Sequence, residues 1–235
     1  MLLKKPKNIP KHIAVIMDGN GRWAKKQNKL RSFGHEMGLR ALNRLIKYCI
    51  DFGIKNLTVY AFSTENWNRP KSEVVGLIKL FEKSIDQYQI SLLKNNIRFN
   101  LFGDLSRFSQ SLQDKITSLV KLTKNNHLLT FNLAANYGSR AEIVNAVNEI
   151  IKIKTISKIT DKSFANYLYT RKSGDVDLII RTGGQKRLSN FMLWQSSYAE
   201  IFFTNKLWPE FEKKDFVRAL TFFADQKRNY GKVTK

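Results

Sequence analysis

The side chains best suited to chemistry gather in short polar runs that directly follow apolar ones. Ile13-Ala-Val-Ile-Met17 leads into Asp18-Gly-Asn-Gly-Arg22, and Leu57-Thr-Val-Tyr-Ala-Phe62 into Ser63-Thr-Glu-Asn-Trp-Asn-Arg69. Residues 128–134 lead into Asn136-Tyr-Gly138, and Val176-Asp-Leu-Ile-Ile180 into Arg181-Thr-Gly-Gly-Gln-Lys-Arg187. Arg22, Arg31, Arg69, Arg181 and Arg187 offer forked donors that match phosphate oxygens. Gly19, Gly21, Gly183 and Gly184 let backbone N–H groups come close to an anion. Asp18 is a carboxylate among cations and suits Mg²⁺, which binds through one or two carboxylates plus substrate phosphates. Glu200 is a candidate second carboxylate, although taken alone it could equally be a surface residue. The chemistry these groups suit is the handling of phosphates.

Familiar phosphate motifs are absent. No GxxxxGK[ST] run exists, and no GxGxxG follows the first apolar run. His12, His35 and His127 have no metal-ligand spacing. His35, just past the Gly-rich loop, has the best claim to function. Cys49 has apolar neighbours at helical spacing and reads as a buried thiol. A single cysteine makes neither an internal disulfide nor a Cys-based zinc site.

Short apolar strands alternate with amphipathic helices, which predicts an α/β fold with a mostly parallel six-stranded sheet flanked by helices. The strands are expected near 13–17, 57–62, 97–102, 128–134, 176–180 and 198–203. Helices are expected between them, with Gly53 ending the first and a capping box of Ser139 with Glu142 opening another. The pattern is weakest from Lys154 to Lys172. No repeat or linker interrupts it, so residues 1–235 read as one domain. In such sheets ligands bind beyond the carboxyl ends of the strands, where all four polar runs fall.

The net charge of +22 admits anionic partners without choosing among them. Nucleic-acid binding would call for basic residues interleaved with exposed aromatics or for a recognition helix, and neither is evident. The first residues lack a signal-peptide core, and no run reaches the ~18 apolar residues of a membrane span. The chain therefore reads as soluble and cytoplasmic, without a specific nucleic-acid partner.

Several stretches together resemble the bacterial undecaprenyl diphosphate synthases, a family of cis-prenyltransferases. They are His12 to Ala24, Gly34-His35, Tyr60 to Pro70, Asn132 to Gly138, Asp177 to Gly184, and Arg187 to Phe191. The likeness runs from about residue 8 to residue 231. It implies Mg²⁺-dependent condensation of isopentenyl diphosphate onto farnesyl diphosphate, giving a long polyprenyl diphosphate. Asp18 would anchor Mg²⁺ and Glu200 would assist. Gly19, Asn20, Gly21, Arg22, Arg31 and His35 would cradle the allylic diphosphate, with Trp23 also at the substrate. Arg181, Arg187 and Ser189 would hold isopentenyl diphosphate. Ser63, Glu65, Asn66, Trp67, Arg69 and Glu73 would belong to a closing loop, with Asn66 near the reacting groups.

The product implied by the resemblance needs an apolar tunnel. Ala61, Val75, Leu77, Ile78, Phe81, Ile85, Ile97 and Leu129 lie on the elements expected around it, although the same helical spacing describes a plain core. Ala61 is the expected narrow point and Leu129 the expected floor. The resemblance also implies a homodimer, with Trp208-Pro209 and the basic C-terminal segment Arg228 to Gly231 near its interface. Phe202, Phe203, Trp208 and Phe211 are expected to supply aromatic surface there. Product release suggests peripheral contact with the inner face of the cell membrane. A non-catalytic partner subunit would lack Asp18 or the phosphate-binding arginines, and here all are present.

Overall fold

A computed structural model describes residues 6–228. The elements run β1 (His12–Ile16), α1 (Asn20–Lys26), α2 (Arg31–Phe52), β2 (Asn56–Ser63), α3 (Lys71–Lys94), β3 (Ile97–Phe102), α4 (Gln110–Leu122) and β4 (Leu129–Tyr137). They continue through α5 (Ser139–Ile151), α6 (Asp161–Phe164), β5 (Leu178–Arg181), β6 (Glu200–Phe203) and α7 (Lys213–Ala224). Short 3₁₀ turns cover Thr64–Asn68, Ala165–Tyr167 and Trp208–Glu210. The six strands form one sheet in the order β3-β4-β2-β1-β5-β6, and every pairing is parallel. The α/β architecture expected from the sequence is therefore the one found.

Both faces of the sheet are covered, which is why β1 and β5 are buried along their whole length. One face carries Ile13, Val15, Leu57, Val59, Phe131 and Ile180, packed with α2, α3, α4 and α7 into the main core. The other carries Ala14, Ile16, Ala134 and Ile179 against Phe191 and Met192. Trp208 and Phe211 belong to the main core, fully buried and stacked on each other, so the sequence expectation that they supply surface is corrected. Phe202 and Phe203, on edge strand β6, remain half-exposed.

Two local departures bear on the site. The β2–β4 register shifts between Tyr60 and Phe62, leaving Ala61 without a partner in the ladder. A bulge of this kind turns successive side chains toward one side: Val59 and Phe62 both join the main core, while Tyr60 packs on the opposite face. The Ser139–Glu142 capping box does not form. Ser139 Oγ accepts from Leu193 N at 3.0 Å, and Glu142 takes the Tyr137 hydroxyl proton donor at 2.5 Å. Burial raises the Glu142 carboxyl above its ordinary range, against the hydrogen bonds from Tyr137 and Gln195. Of the C-terminal basic segment, only Arg228 lies within the described residues.

Candidate active site

β1, β2 and β5 release their carboxyl ends side by side, and the polar runs that follow them build two clefts over the sheet. The first, about 550 Å³, is lined by Asp18, Asn20, His35, Ser63, Glu65, Asn66, Arg69, Arg181 and Ser189. The second, about 600 Å³, is lined by Asp18, Gly19, Asn20, Gly21, Arg22, Arg31, His35 and Arg69. Beneath them lies an apolar cavity of about 120 Å³ between the sheet, α2 and α3. Met17, Asn20 and His35 line all three spaces, so the polar clefts and the apolar cavity share one wall.

Asp18 stands between the clefts. Arg22 Nη2, from the second, donates to its Oδ1 at 3.1 Å, and Arg181 Nη2, from the first, donates to its Oδ2 at 3.1 Å. Arg181 is almost wholly buried, held by Ser189 Oγ at 2.8 Å and by the Arg187 carbonyl. Gly183 is required behind this pair. Its φ is +81°, and a Cβ there would lie 2.5 Å from Arg22 Nη2. Gly34 has a comparable role where α2 crosses α1, since a Cβ would meet the Asn20 carbonyl oxygen at 2.2 Å.

Glu73, at the start of α3, gathers two cations over the second cleft: Arg69 Nη1 at 3.0 Å and Arg31 Nη2 at 3.4 Å. His35 lies beneath them. Burial, then the Arg69 charge, pushes its imidazole down to about 4, so it is neutral near pH 7. Its Nε2 is buried without a partner, as are Asn20 Oδ1 and Arg181 Nε. These three atoms belong to cleft-lining residues, and unsatisfied buried polar atoms of this kind suit a ligand. Asn66 is fixed by its own turn, Oδ1 accepting from Ser63 N at 3.1 Å. Desolvation would raise Glu65, yet hydrogen bonds, led by that from Asn190, hold its carboxyl below the ordinary value.

Some expected residues stand outside the clefts. The Trp67 indole donates to Asn136 Oδ1 at 2.8 Å and packs on Phe62 and Phe108, with Arg107 4.1 Å from its ring centroid. Asn136 also donates to the Asp104 carbonyl at 2.7 Å, so the β4 run ties loops together and does not line the clefts. Trp23 stacks on Phe33. Arg187 donates to Gln185 Oε1 at 2.6 Å, and Glu73 acts through Arg31 and Arg69. Glu200 is level with Leu178 and so with Ile13, at the opposite end of the sheet from Asp18. Five residues of strand separate the two levels, about 16 Å, so Glu200 does not join Asp18 within one chain.

Of the expected tunnel residues, Ala61, Leu77, Ile78, Phe81 and Ile85 line the apolar cavity. Val75 is exposed. Ile97 and Leu129 pair with each other one layer below Phe99 and Phe131, which close the cavity from that side. Sequence reasoning missed Asn190, which donates to Glu65 at 2.9 Å, and Lys25 and Lys29 in the second cleft. Lys25 had a signal, since it follows Arg22 by one helical turn.

Among the described residues no cluster of three or more His, Cys, Asp or Glu side chains could hold a metal on its own. Asp18, a single carboxylate beside two arginine-lined clefts, fits the way Mg²⁺ is held jointly by protein and substrate.

The family model described as "Putative undecaprenyl diphosphate synthase" matches residues 16–231. An isoprenyl transferase of Fusobacterium nucleatum is 51% identical over 227 residues, covering 97% of this chain and 98% of that protein. A ditrans,polycis-undecaprenyl-diphosphate synthase ((2E,6E)-farnesyl-diphosphate specific) of Photorhabdus laumondii is 49% identical, covering 95% and 90%. Among solved structures, lavandulyl diphosphate synthase from Lavandula x intermedia, in complex with dimethylallyl diphosphate, matches with a TM-score of 0.91 at 35% identity. That match covers 95% of this chain and 99% of the other.

Proposed function

The chain belongs to the undecaprenyl diphosphate synthase family of cis-prenyltransferases, and on that footing we propose that it condenses isopentenyl diphosphate repeatedly onto farnesyl diphosphate to make undecaprenyl diphosphate. The observation that carries this reading is the shared wall of Met17, Asn20 and His35. Two cation-lined clefts suit two diphosphates, and an apolar cavity meeting both suits the tails.

In this reading the second cleft takes the allylic diphosphate through Arg22, Arg31 and the Gly19–Gly21 backbone. The first takes isopentenyl diphosphate through Arg181 and Ser189, with Arg187 closing on it. Asp18 would hold Mg²⁺ between them, and the ion would supply charge neutralisation for the departing diphosphate. Arg22 Nη2 and Arg181 Nη2, which donate to Asp18, can donate to phosphate oxygens once that carboxylate has a cation. The shared wall sets the allylic carbon against the isopentenyl double bond, and such positioning accounts for much of the rate. Asn66 stands in the first cleft, near where the proton departs. Arg31 and Arg69, joined by Glu73, close over the site and exclude water from an allylic cation.

The chain acts as a homodimer. Glu200 is remote from Asp18 in its own protomer, so a role for it at the metal requires the second copy. Mixing Asp18→Ala with Glu200→Ala should then restore part of the turnover that each lacks; no recovery after subunit exchange would count against this. A monomeric mass by light scattering at micromolar concentration would refute the dimer. A polyprenyl lipid product supports the reading of a cytoplasmic enzyme in peripheral contact with the membrane.

The direct test incubates purified protein with labelled isopentenyl diphosphate, farnesyl diphosphate and Mg²⁺, followed by thin-layer separation. Long polyprenyl products that depend on Mg²⁺ are expected. No condensation, or a single addition only, would overturn the reading.

A further inference from the structure

α3 and α4 both end at the amino ends of the strands, and the turns that follow them are tied together. Asn126 Nδ2 donates to the Ile97 carbonyl at 2.9 Å and the Leu92 carbonyl at 3.3 Å, and Leu128 N donates to the Asn96 carbonyl at 3.0 Å. On this corner Ile90 is 75% exposed, with Leu93, Leu122 and Leu128 all above 40%. Single exposed apolar residues need no explanation, but four on two helix ends and the turn tied to them do.

The charge of the corner is one-sided. Residues 87–103 and 115–141 contain no Asp or Glu. Lys94, Lys121 and Lys124 lie among the apolar side chains, exposed, and no ion pair among the described residues involves them. One layer inward are Leu92, Ile97 and Leu129, each at most 2% exposed. The next layer, Phe99, Leu119 and Phe131, already lines the apolar cavity. The corner is thus the outer side of the cavity's floor.

We propose that this corner is the surface by which the protein docks on an anionic lipid bilayer. The inference rests on the reading that the product is a polyprenyl lipid, which must end in a membrane. Lysines around an apolar patch can place their stems with the side chains and their ammonium groups at lipid phosphates. A second copy of the chain suits the corner poorly. A two-fold contact would set lysine against lysine with no carboxylate between them. No helix of the described residues is long and apolar enough to cross a membrane, so the contact is lateral.

The test is flotation with vesicles of two parts phosphatidylcholine to one part phosphatidylglycerol, beside pure phosphatidylcholine vesicles. The wild type should float with the first and much less with the second. Lys94→Gln/Lys121→Gln/Lys124→Gln should weaken partitioning on the order of 100-fold, and Ile90→Glu/Leu128→Glu should abolish it. Turnover in detergent should remain near wild type in both, which shows that they are folded. Should the glutamate variant fail to fold, the lysine variant carries the test alone. A wild type that does not float, or corner variants that float normally, overturns the proposal. So does loss confined to Val144→Glu/Ile151→Glu on α5, or a change of oligomeric mass in the corner variants. Detergent turnover tests the enzymatic reading separately: an inactive wild type would sink that reading, whatever the vesicles show.

Discussion

Product length should respond to two layers of side chains at the bottom of the cavity, and by different amounts. Phe131 lines the cavity, while Leu129 lies one layer deeper, fully buried on the same strand face. Phe131→Ala removes six carbons and Leu129→Ala three, whereas one isoprene unit brings five. Burying a unit is favourable by about 4 kcal/mol, at ~0.8 kcal/mol per carbon. Phe131→Ala leaves room for a whole unit, so the dominant product should lengthen by one or more. Leu129→Ala gives room for three carbons, about 2.4 kcal/mol. The remaining two carbons must be overpacked at ~1–3 kcal/mol. The two nearly cancel, so a mixture of the wild-type length and one unit more is expected. Ala61→Leu, at the bulge where the cavity meets the first cleft, adds three carbons to the passage and should shorten the products. The first condensation should change little in all three. The assay is product chromatography at fixed substrate ratio. Thermal melts must accompany it, because core truncations of this kind cost ~2–5 kcal/mol out of ~5–15. If folded Phe131→Ala and Leu129→Ala both give the wild-type distribution, the cavity floor does not set length.

Three further outcomes follow from the site. Asp18→Ala should lower turnover by at least 100- to 1000-fold, about 2.7–4 kcal/mol as for a key electrostatic group, with little effect on the melting temperature; near-normal turnover in saturating Mg²⁺ would remove Asp18 from the metal. Arg181→Ala and Arg187→Ala should raise KM mainly for isopentenyl diphosphate and Arg31→Ala mainly for the allylic substrate, and equal losses for both substrates in every variant would contradict two subsites. His12 and His35 are both held neutral, chiefly by burial, with pKa values lowered to about 4 from 6.5. The unfolded chain therefore binds protons that the folded one refuses, and stability should fall from pH 6.5 toward pH 4. Each histidine should account for about 2 kcal/mol by pH 5. A His35→Gln variant should lose less stability over that range, and an unchanged profile would show that His35 is not protected.

The sheet was legible because burial on both faces leaves a simple trace. The apolar runs at residues 13–17 and 176–180 fall on β1 and β5 within one or two residues. What lay beyond reach depends on pairing. The bulge at Ala61 depends on how β2 meets β4, and nothing local in Tyr-Ala-Phe announces it. Ser139 and Glu142 have capping-box spacing, but Leu193, from a distant loop, and Tyr137, at the end of β4, take their hydrogen bonds first. The resemblance implies Glu200 as a second carboxylate beside Asp18, yet only the β5–β6 register reveals that it lies at the far end of the sheet.

Residue type alone also fails to separate scaffold from site, because both use the same groups. His12 and His35 are both buried and both neutral. His12 has each ring nitrogen within 2.9 Å of a partner, the Asp175 carbonyl and Thr58 Oγ1, and so fastens the start of β1. His35 has a buried Nε2 with none, and faces every space in which a substrate would lie. The same contrast divides the asparagines. Asn136 spends its amide on Trp67 and Asp104, whereas Asn20 keeps a buried oxygen unmatched at the shared wall. An unpaired buried polar atom costs stability, ~1–3 kcal/mol, and although Arg44, Arg98, Glu142, Gln195 and Ser196 also hold one, only those of Asn20, His35 and Arg181 belong to residues that line the clefts. By that measure Asn20, His35 and Arg181 mark the reacting centre more sharply than the loop tryptophan or the exposed Arg187. Conservative replacement there should damage turnover before it damages the fold.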